Sequence, residues 1–340
     1  MLDKLEKQLL DKQEFVSLIS SYTESDAEYA AQKARGIAQS IYGKSVYIRG
    51  LIEVSNYCKN DCYYCGIRRS NRACERYRLT KEDILECCEH GYELGLHTFV
   101  LQGGEDLHYT CGEICGIIRS IKKRFPDCCV TLSIGEKSYE EYKAYREAGA
   151  DRYLLRHETA NEWHYSKLHP ESMSLKNRMN CLSQLKELGY QTGAGMMVGT
   201  PFQTAEHLAE DMLYLGTLQP HMVGIGPFIP HKDTPFAKEK SGDVDLTVFL
   251  LSLTRIMLPH ALIPATTALG TASGTGRERG ILAGANVIMP NLSPMSVRKK
   301  YMLYDGKIST GSESADALKD LAERMESIGY RIDLSRGDHK

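Results

Sequence analysis

The sequence predicts an α/β fold, a TIM-type (β/α)8 barrel with an N-terminal helical extension and a C-terminal helical tail. The chain has 340 residues, a length that suits one such barrel with extensions. Short apolar runs alternate with helical patterns, which is typical of parallel strands joined by crossover helices. Polar or glycine-rich segments follow the apolar runs, at the positions where such barrels carry their reactive groups.

Eight apolar runs are the predicted strands. They lie at residues 46–54, 98–102, 130–134, 152–156, 193–198, 222–225, 263–267 and 286–289. Two helix starts between them carry the pattern of a capping box, in Thr80 with Asp83 and in Ser138 with Glu141. The order of strands and helix starts therefore agrees with eight repeated strand-helix units.

Both ends of the chain lie outside the predicted barrel. Residues 1–43 show amphipathic helical patterns, in which Leu2, Leu5 and Leu9 share one stripe. A further helical pattern follows residue 308 and leads into a short tail. We therefore divide the chain into a helical cap at 1–43, a barrel at 44–307, and a C-terminal helix and tail at 308–340.

Composition excludes several classes of protein. Apolar residues make up 42% and charged residues 25%, and a formal net charge of −2 offers no basic field for nucleic acid. The N-terminal segment alternates charged and apolar positions, which predicts neither a signal peptide nor a membrane span. The 11 cysteines include adjacent pairs within strand and helix patterns, as reduced thiols do. We expect a cytoplasmic protein of a reducing, anaerobic cell.

Three cysteines carry the most specific chemical signal. Cys58, Cys62 and Cys65 form a C-x3-C-x2-C motif directly after the first predicted strand. Three thiolates can bind three corners of a cubane cluster and leave the fourth iron open to a ligand that is not protein. Zinc is the alternative, but structural zinc needs four ligands and no C-x2-C or H-x3-H partner completes the set.

Two further segments after predicted strands carry candidate ligand-binding residues. QGGED, at 102–106, is on its own typical of a tight turn, but its glycines also let backbone carbonyls approach an ammonium group while Glu105 braces the loop. In RHETAN, at 156–161, Arg156 and Glu158 alternate along a strand end and so share a face, with His157 opposite. This pair is either a structural salt bridge at the barrel rim or a site in which Glu158 binds an amine or ribose and Arg156 an anion.

The remaining candidates all have ordinary structural alternatives. Arg178 is either a solvated surface charge or a fork that binds a carboxylate. Thr266 and Thr267 are good strand formers whatever else they do. Tyr301 and Tyr304 could serve only to attach the tail to the barrel. The candidates at inward strand positions, which are usually core, are Thr131, Met222 and Met289.

The cysteine motif and the glycine-glycine-glutamate loop together resemble those of the radical S-adenosylmethionine (radical SAM) superfamily. Longer segments closely resemble the HydE family, maturases that help to assemble the diiron subcluster of FeFe-hydrogenase. These segments are RYRLT (76–80), GADRYLLRHETAN (149–161), NRMNCL (177–182), LKELGYQTGAGMMVG (185–199), HMVGIGPFIPHKDTP (221–235), IPATTALGT (263–271) and GANVIMPN (284–291). The resemblance covers roughly residues 45–305.

The resemblance implies a role for each candidate residue. Cys58, Cys62 and Cys65 would bind a 4Fe-4S cluster whose open iron chelates S-adenosylmethionine (SAM). The residues implied to hold SAM are Gly103, Gly104, Glu105, Glu158, Arg178 and Tyr64. The residues implied to line the substrate site in the barrel interior are Gln102, Thr131, Arg156, Met222, Thr266, Thr267, Met289 and Tyr304.

The implied activity is reductive cleavage of SAM to a 5'-deoxyadenosyl radical that acts on a cysteine-bound iron carbonyl cyanide complex. The implied partners are the sister maturases HydG and HydF, in transient contacts, and an electron donor such as ferredoxin or flavodoxin, with no nucleic acid and no membrane. The alternatives are an enzyme similar to methylornithine synthase or biotin synthase and, in a different class, a noncatalytic iron-sulfur carrier.

One departure from the HydE pattern bears on the cluster count. Many HydE proteins carry additional cysteines near the C-terminus for a second, surface iron-sulfur cluster. The corresponding segment here, KISTGSESADAL at 307–318, contains no cysteine. The sequence therefore predicts one cluster in this chain.

Overall fold

Parallel strands surrounded by helices form a barrel. The computed structural model describes residues 1–308 and 314–340. The strands are β1 (Ser45–Ile48), β2 (Gly50–Ser55), β3 (Thr98–Gly103), β4 (Cys129–Ser133), β5 (Arg152–Leu154), β6 (Gln191–Val198), β7 (Met222–Pro227), β8 (Val287–Ile288) and β9 (Arg331–Asp333). The helices are α1 (Leu2–Glu6), α2 (Lys12–Ser21), α3 (Glu24–Tyr42), α4 (Lys81–Glu93), α5 (Cys111–Arg124), α6 (Tyr139–Ala148), α7 (Glu162–Leu168), α8 (Leu175–Glu187), α9 (Ala205–Leu218), α10 (Val244–Met257), α11 (Thr267–Ala272), α12 (Gly276–Leu282), α13 (Met295–Arg298) and α14 (Leu318–Ser327).

The barrel is assembled from two sheets that share one interrupted strand. Six strands form a parallel sheet in the order β2-β3-β4-β5-β6-β7, and β8 and β9 pair with β1. β1 and β2 are successive parts of one barrel strand that is interrupted at Arg49. Two isolated bridges complete the ring, from Met222 to Leu262 and from Pro264 to Val287. The predicted barrel fold is confirmed.

The predicted strands differ from the observed ones in their bounds, and the run 286–289 keeps only Val287–Ile288. Three other runs differ in ways that have a structural reason. The run 263–267 contributes only isolated bridges, because Pro264 has no N–H to donate to a ladder, and Thr267 already begins α11. The run 152–156 shortens to β5, and the run 46–54 is split at Arg49. The segment 263–267, at the seventh strand position of the barrel, is therefore held by few backbone hydrogen bonds.

Both predicted capping boxes are present at the starts of helices that follow strands or loops of the barrel. Thr80 Oγ1 accepts the Asp83 N–H at 3.1 Å, and the Asp83 carboxylate accepts the Thr80 N–H at 2.7 Å. Ser138 and Glu141 form the same reciprocal pair at α6. Such pairs satisfy N–H groups that the first helical turn leaves unbonded, and so define where each helix begins.

Helices flank the barrel at both ends of the chain, as predicted. In the N-terminal cap, α2 packs on α9 and α3 packs on α10. At the other end a 3-10 turn (Ala315–Ala317) leads into α14, and residues 309–313, within the cysteine-free segment, lie outside the described residues. Among helices in the described ranges, none is long and apolar enough to cross a lipid bilayer. The division into three regions remains a prediction.

The C-terminal tail fills the N-terminal end of the barrel. Arg152, which is fully buried, donates to the carbonyl oxygen of Arg336 and to Oδ1 of Asp338, both at 2.8 Å. Partial burial opposes ionisation of Asp338, but the hydrogen bond from Arg336 and the charge of Arg152 together hold the pKa of that carboxyl well below its usual range. Because the C-terminal tail fills the N-terminal end of the barrel, a functional site is expected at the opposite, C-terminal end.

Candidate active site

The cysteine loop follows β2 at the C-terminal end of the barrel. Cys58, Cys62 and Cys65 are free, half-buried thiols. The Lys59 N–H donates to the carbonyl oxygen of Glu105 at 2.9 Å, which joins this loop to the loop after β3. Burial, followed by the charge of Cys58, raises the pKa of Cys65 to about 12. Metal-bound thiols are thiolates, so a cationic metal group would offset this penalty, and the donor set fits such a group.

The two metal alternatives differ in the spacing that they require. Structural zinc gathers four ligands around one ion, whereas each thiolate of a cubane cluster binds a different iron. Within residues 1–308 and 314–340, no three His, Cys, Asp or Glu side chains form a group suited to a single metal ion.

Hydrogen bonds from two side chains hold the cysteine loop to the rest of the barrel. Asn56 Nδ2 donates to the carbonyl oxygens of Glu75 and Lys300, at 2.8 and 2.7 Å. Arg76 donates to several loop carbonyls, including that of Ile67 at 2.8 Å. Sequence analysis did not select Asn56 or Arg76, although Arg76 begins the RYRLT segment. These bonds shape the loop independently of any metal.

The QGGED loop packs directly against the cysteine loop. A side chain at Gly104 would place its Cβ 2.8 Å from Cys58 Cβ and closer still to a neighbouring carbonyl oxygen, so only glycine fits. Glu105 is buried, and its carboxylate lies 3.1 Å from Lys59 Nζ. Glu105 thus braces the loop, as predicted. The backbone of Gly103 and Gly104 lies next to the first cysteine.

Arg156 and Glu158 share one face beyond β5, as predicted. Arg156 Nη2 lies 3.0 Å from Glu158 Oε2, while His157 on the opposite face lies 3.4 Å from Asp211. Glu158 is buried with a φ of +67°, a left-handed conformation. That conformation costs a residue with a side chain about 1–2 kcal/mol. In the described part of the chain, Arg156 Nε and Glu158 Oε2 are buried without a well-aligned hydrogen bond. A strained backbone, as at Glu158, and a buried donor without a partner, as at Arg156 Nε, are typical of ligand sites.

Arg178 reaches from α8 to the backbone of Arg156. Its Nε donates to Glu136 Oε1 at 2.5 Å, and its Nη1 donates to the carbonyl oxygen of Arg156 at 2.6 Å. The side chain is buried, so it is not the solvated surface charge of the alternative interpretation. Sequence analysis did not select Glu136, which follows β4. A ligand carboxylate at this position would share the guanidinium fork with Glu136.

Tyr64, which precedes the last cysteine of the motif, is paired with a buried histidine. The Tyr64 hydroxyl lies 3.2 Å from His169 Nε2, and His169 Nδ1 lies 3.0 Å from the carbonyl oxygen of Tyr165. Because a carbonyl only accepts, we assign the proton to Nδ1, and Tyr64 then donates to Nε2. Burial, followed by the charge of Arg178, lowers the pKa of His169 to about 3, so the ring is neutral near pH 7. No sequence spacing marked His169.

Polar side chains on β3 and β4 face the barrel interior. Thr131 is buried, and its Oγ1 has no hydrogen-bond partner among the described residues. Gln102 Nε2 donates to the Tyr301 hydroxyl at 3.4 Å. The carbonyl oxygen of Tyr301 accepts a hydrogen bond from Lys307 Nζ at 3.0 Å, and Lys307 is ion-paired with Glu53 on β2. Tyr301 therefore attaches the segment after β8 to the barrel and also contacts a predicted substrate residue.

Thr266 and Thr267 lie at the start of a helix and not on the predicted strand. Thr266 is the N-cap of α11, and its Oγ1 accepts the Leu269 N–H at 3.3 Å. Thr267 Oγ1 accepts a hydrogen bond from Nη2 of Arg277 at 3.4 Å. Arg277 is buried on α12, and sequence analysis did not select it. The threonines therefore bring a helix start and a buried guanidinium to this part of the barrel.

The two methionines lie deeper in the barrel than the arginine. Met222 begins β7 in a buried apolar cluster, and Met289 packs against the same cluster. A Cβ on Gly224, two residues along β7, would meet Arg156 Cδ at 4.0 Å. Arg156 is therefore one layer above Met222. Tyr304 is half-buried in the segment after β8.

Known proteins share both the motif and the fold. The Radical SAM superfamily model matches residues 52–215, which include the cysteine loop and the QGGED and RHETAN segments. The [FeFe] hydrogenase maturase subunit HydE of Thermotoga maritima is 45% identical over 340 residues, spanning 100% of this chain and 97% of that protein. The chain belongs to the HydE family.

Other relatives of this HydE-family chain are more distant. The 3-methylornithine synthase of Methanosarcina acetivorans is 27% identical, over 92% of this chain and 87% of that protein. A crystal structure of methylornithine synthase (PylB) has a TM-score of 0.84 at 26% identity, covering 98% and 97% of the two chains. A crystal structure of the maturase HydG has a TM-score of 0.81 at 21% identity, covering 98% and 75%, and this likeness shows the fold alone. The HydE-family chain is a radical SAM enzyme on a TIM-type barrel.

Proposed function

We propose that this chain cleaves SAM during assembly of the diiron subcluster of FeFe-hydrogenase. It would hold one 4Fe-4S cluster on Cys58, Cys62 and Cys65, with SAM at the open iron. The observation that carries this proposal is that Cys58, the first of the three motif cysteines, packs against Gly104 at the same end of the barrel as the strained Glu158, in a chain 45% identical to HydE. When both groups are bound and one electron is supplied, they provide a 5'-deoxyadenosyl radical.

The chain's own residues would position SAM on one side of the cysteine loop. The backbone carbonyls beside Gly103 and Gly104 would accept hydrogen bonds from its ammonium group, and Glu105 keeps that backbone in place. The buried carboxylate of Glu158 would accept from the amine or the ribose, which would offset the cost of its backbone strain. The proposed SAM-binding residues are Gly103, Gly104, Glu105, Glu158, Arg178 and Tyr64.

The substrate would occupy the barrel interior beneath SAM. We propose a cysteine-bound iron carbonyl cyanide complex delivered by HydG, with a product that passes to HydF and an electron from a ferredoxin or flavodoxin. Arg156 would pair with a cyanide or carboxylate group of the substrate. The tail that fills the opposite barrel end would keep water from a reactive radical. The proposed substrate residues are Gln102, Thr131, Arg156, Met222, Thr266, Thr267, Met289 and Tyr304.

Electron paramagnetic resonance of the anaerobically reconstituted, reduced protein tests this proposal, with spectra recorded in the presence and absence of SAM. We expect a reduced 4Fe-4S signal that changes when SAM is added. Cys62→Ala should lose both the cluster and SAM cleavage. Cys74→Ala is the matched control, because Cys74 lies near the loop, with its Sγ 3.5 Å from Asn56 Nδ2, but outside the motif. That variant should keep the signal.

Two outcomes would count against the proposal. A cluster signal that does not change when SAM is added would identify a noncatalytic carrier. A reconstituted protein without any iron-sulfur signal would leave zinc as the metal. A second candidate function, synthesis of methylornithine from lysine, is favoured by the TM-score of 0.84 to that synthase. Formation of methylornithine from lysine and SAM would establish it in place of the hydrogenase role.

A further inference from the structure

A surface groove lies beside the cysteine loop, on the outer side of the barrel mouth. Its volume is about 400 Å³. Its walls come from the segment after the cysteine motif, from the loop after β7 and from α13 with the residues that follow it. Its lining residues include Gly66, His231, Lys232, Met295, Lys299 and Lys300. The groove therefore belongs to a different surface from the SAM and substrate sites.

The floor of this groove is continuous with a proposed cluster ligand. Gly66 directly follows Cys65, and its N–H donates to the carbonyl oxygen of Leu303 at 2.8 Å. The carbonyl oxygen of Gly66 accepts a hydrogen bond from Asn71 Nδ2 at 2.7 Å. The ring of His231 lies so close that a Cβ on Gly66 would fall 2.7 Å from Nε2. A molecule seated in the groove would thus be separated from the cysteine loop by little more than one imidazole and one peptide.

Charge distinguishes the groove from the chain as a whole. Two exposed lysines, Lys232 and Lys299, line the groove, and the exposed Arg69 and Arg72 lie in the chain segment that forms one of its walls. In the described residues none of these four side chains has an ion-pair partner. The nearby charged groups are Lys300, which is paired with Glu75, and the carboxylates of Asp233 and Asp305, which lie near His231. Among the residues that line the groove, cations therefore outnumber carboxylates by three to two, whereas the formal charge of the whole chain is −2.

The groove also carries an exposed apolar side chain, as protein-binding surfaces do. Met295 is 61% exposed at the edge of the groove. An exposed methionine among charged residues is typical of surfaces that bind a partner, since its flexible side chain adapts to the partner's shape. The rim charges would steer an oppositely charged partner to this surface before close contact forms.

We propose that this groove is the docking surface for a small acidic protein that carries a one-electron redox centre. The inference rests on the proposed function, because it assumes a cluster on Cys58, Cys62 and Cys65. In the transfer, the reduced centre of the donor loses one electron and the cluster gains that electron. No atom moves between the proteins. The groove thus separates electron entry from the barrel mouth, where SAM and substrate enter.

Charge reversal in the reconstituted holoprotein tests the docking surface, with a purified flavodoxin as the probe. The test variant is K232E/K299E. The matched control is K7E/K143E, which makes the same change in net charge at two exposed lysines far from the groove, on the N-terminal cap and on α6. Two quantities are measured over a range of salt concentrations: flavodoxin binding by fluorescence anisotropy of its flavin, and the rate of cluster reduction by stopped-flow absorbance. Cluster reduction by dithionite is measured in parallel.

We expect K232E/K299E to slow flavodoxin-driven reduction by at least about tenfold at low salt and to weaken binding, with the difference shrinking as salt increases. The control and dithionite reduction should match the wild type. K232Q/K299Q should show a smaller loss in the same direction.

Unchanged flavodoxin binding and reduction in K232E/K299E would overturn the docking surface, and so would an equal loss in K7E/K143E. Normal SAM cleavage with dithionite would show at the same time that the proposed function stands. Wild-type protein that dithionite reduces but that does not cleave SAM would instead contradict the proposed function.

Discussion

Replacing Gly104 by alanine tests the contact between the QGGED loop and the cysteine loop. The added Cβ would lie 2.8 Å from Cys58 Cβ and closer still to the carbonyl oxygen of Tyr57. One of these neighbours is backbone, so the clash cannot be relieved by rotating a side chain. Overpacking of this kind costs about 1–3 kcal/mol. Because relief requires the loop to move, we expect Cys58 to shift away from its place in the ligand set.

The expected result has two parts. The free energy of unfolding of the apoprotein, measured with denaturant, should fall by about 1–3 kcal/mol. Affinity for iron, measured by chelator competition after reconstitution, should fall by about 10–100-fold, the usual effect of disturbing the residues that support metal ligands. Both effects should appear without the loss of any thiol.

Gly116→Ala is the matched control for the same change. Gly116 lies within α5, and apart from its chain neighbours and the backbone of its own helix, no described atom comes within 4 Å of the Cβ that it would carry. Alanine is the better helix former, so the apoprotein should gain about 0.5–1 kcal/mol and keep its iron. If Gly104→Ala matched Gly116→Ala in both stability and iron affinity, the packing of the two loops derived above would be wrong.

Three other substitutions test separate parts of the molecule. Arg156→Ala should spare SAM cleavage but lower hydrogenase maturation by roughly ten- to a hundredfold, the equivalent of a charge-assisted hydrogen bond of about 1.5–3 kcal/mol; normal maturation in a reconstituted assay would reject the anion site. Glu158→Gly should relieve backbone strain yet abolish the SAM-induced change in the resonance spectrum, whereas Gln219→Gly, also at positive φ, should leave that change intact. Because the folded-state pKa of Asp338 is depressed, its contribution to stability is present above its unfolded pKa and is lost as pH falls through the folded value. Asp338→Asn should therefore destabilise the protein at pH 7, because Arg152 loses its carboxylate partner. The midpoint of denaturant unfolding, measured against pH, should then fall less steeply in acid than it does in the wild type. An unchanged pH dependence would contradict the role of the tail in closing the barrel.

Local patterns in the sequence predicted the parts of the site that depend on neighbours along the chain. The period of a strand placed Arg156 and Glu158 on one face with His157 opposite, and the structure has that arrangement. The glycine pair after the second strand predicted a close approach of the backbone to a ligand, which stays a prediction. The structure shows a close approach of Gly104 to the cysteine loop. The threonine pair was misplaced because the prediction extended the strand past Pro264, which cannot donate to a ladder, into residues that begin α11.

Two of the residues that sequence analysis missed act through partners far along the chain, and a third, Arg76, acts on the neighbouring cysteine loop. Glu136 meets Arg178 across two strands, His169 receives the hydroxyl of Tyr64, and Arg76 binds carbonyls of the cysteine loop. Each residue type is common and none has a diagnostic spacing. Their roles arise only when the barrel brings separate loops to one end.

The sequence by itself determined the barrel class and the family and predicted the three thiolate ligands, because hydrophobic period, cysteine spacing and extended segment identity are properties of the linear chain. Only the tertiary structure decided that Arg178 shares its fork with Glu136, that Glu158 is strained, and that residues 336–338 close the far end of the barrel. Buried charges and hydrogen-bonding groups need partners, and folding selects those partners by distance in space, which the order of residues does not specify.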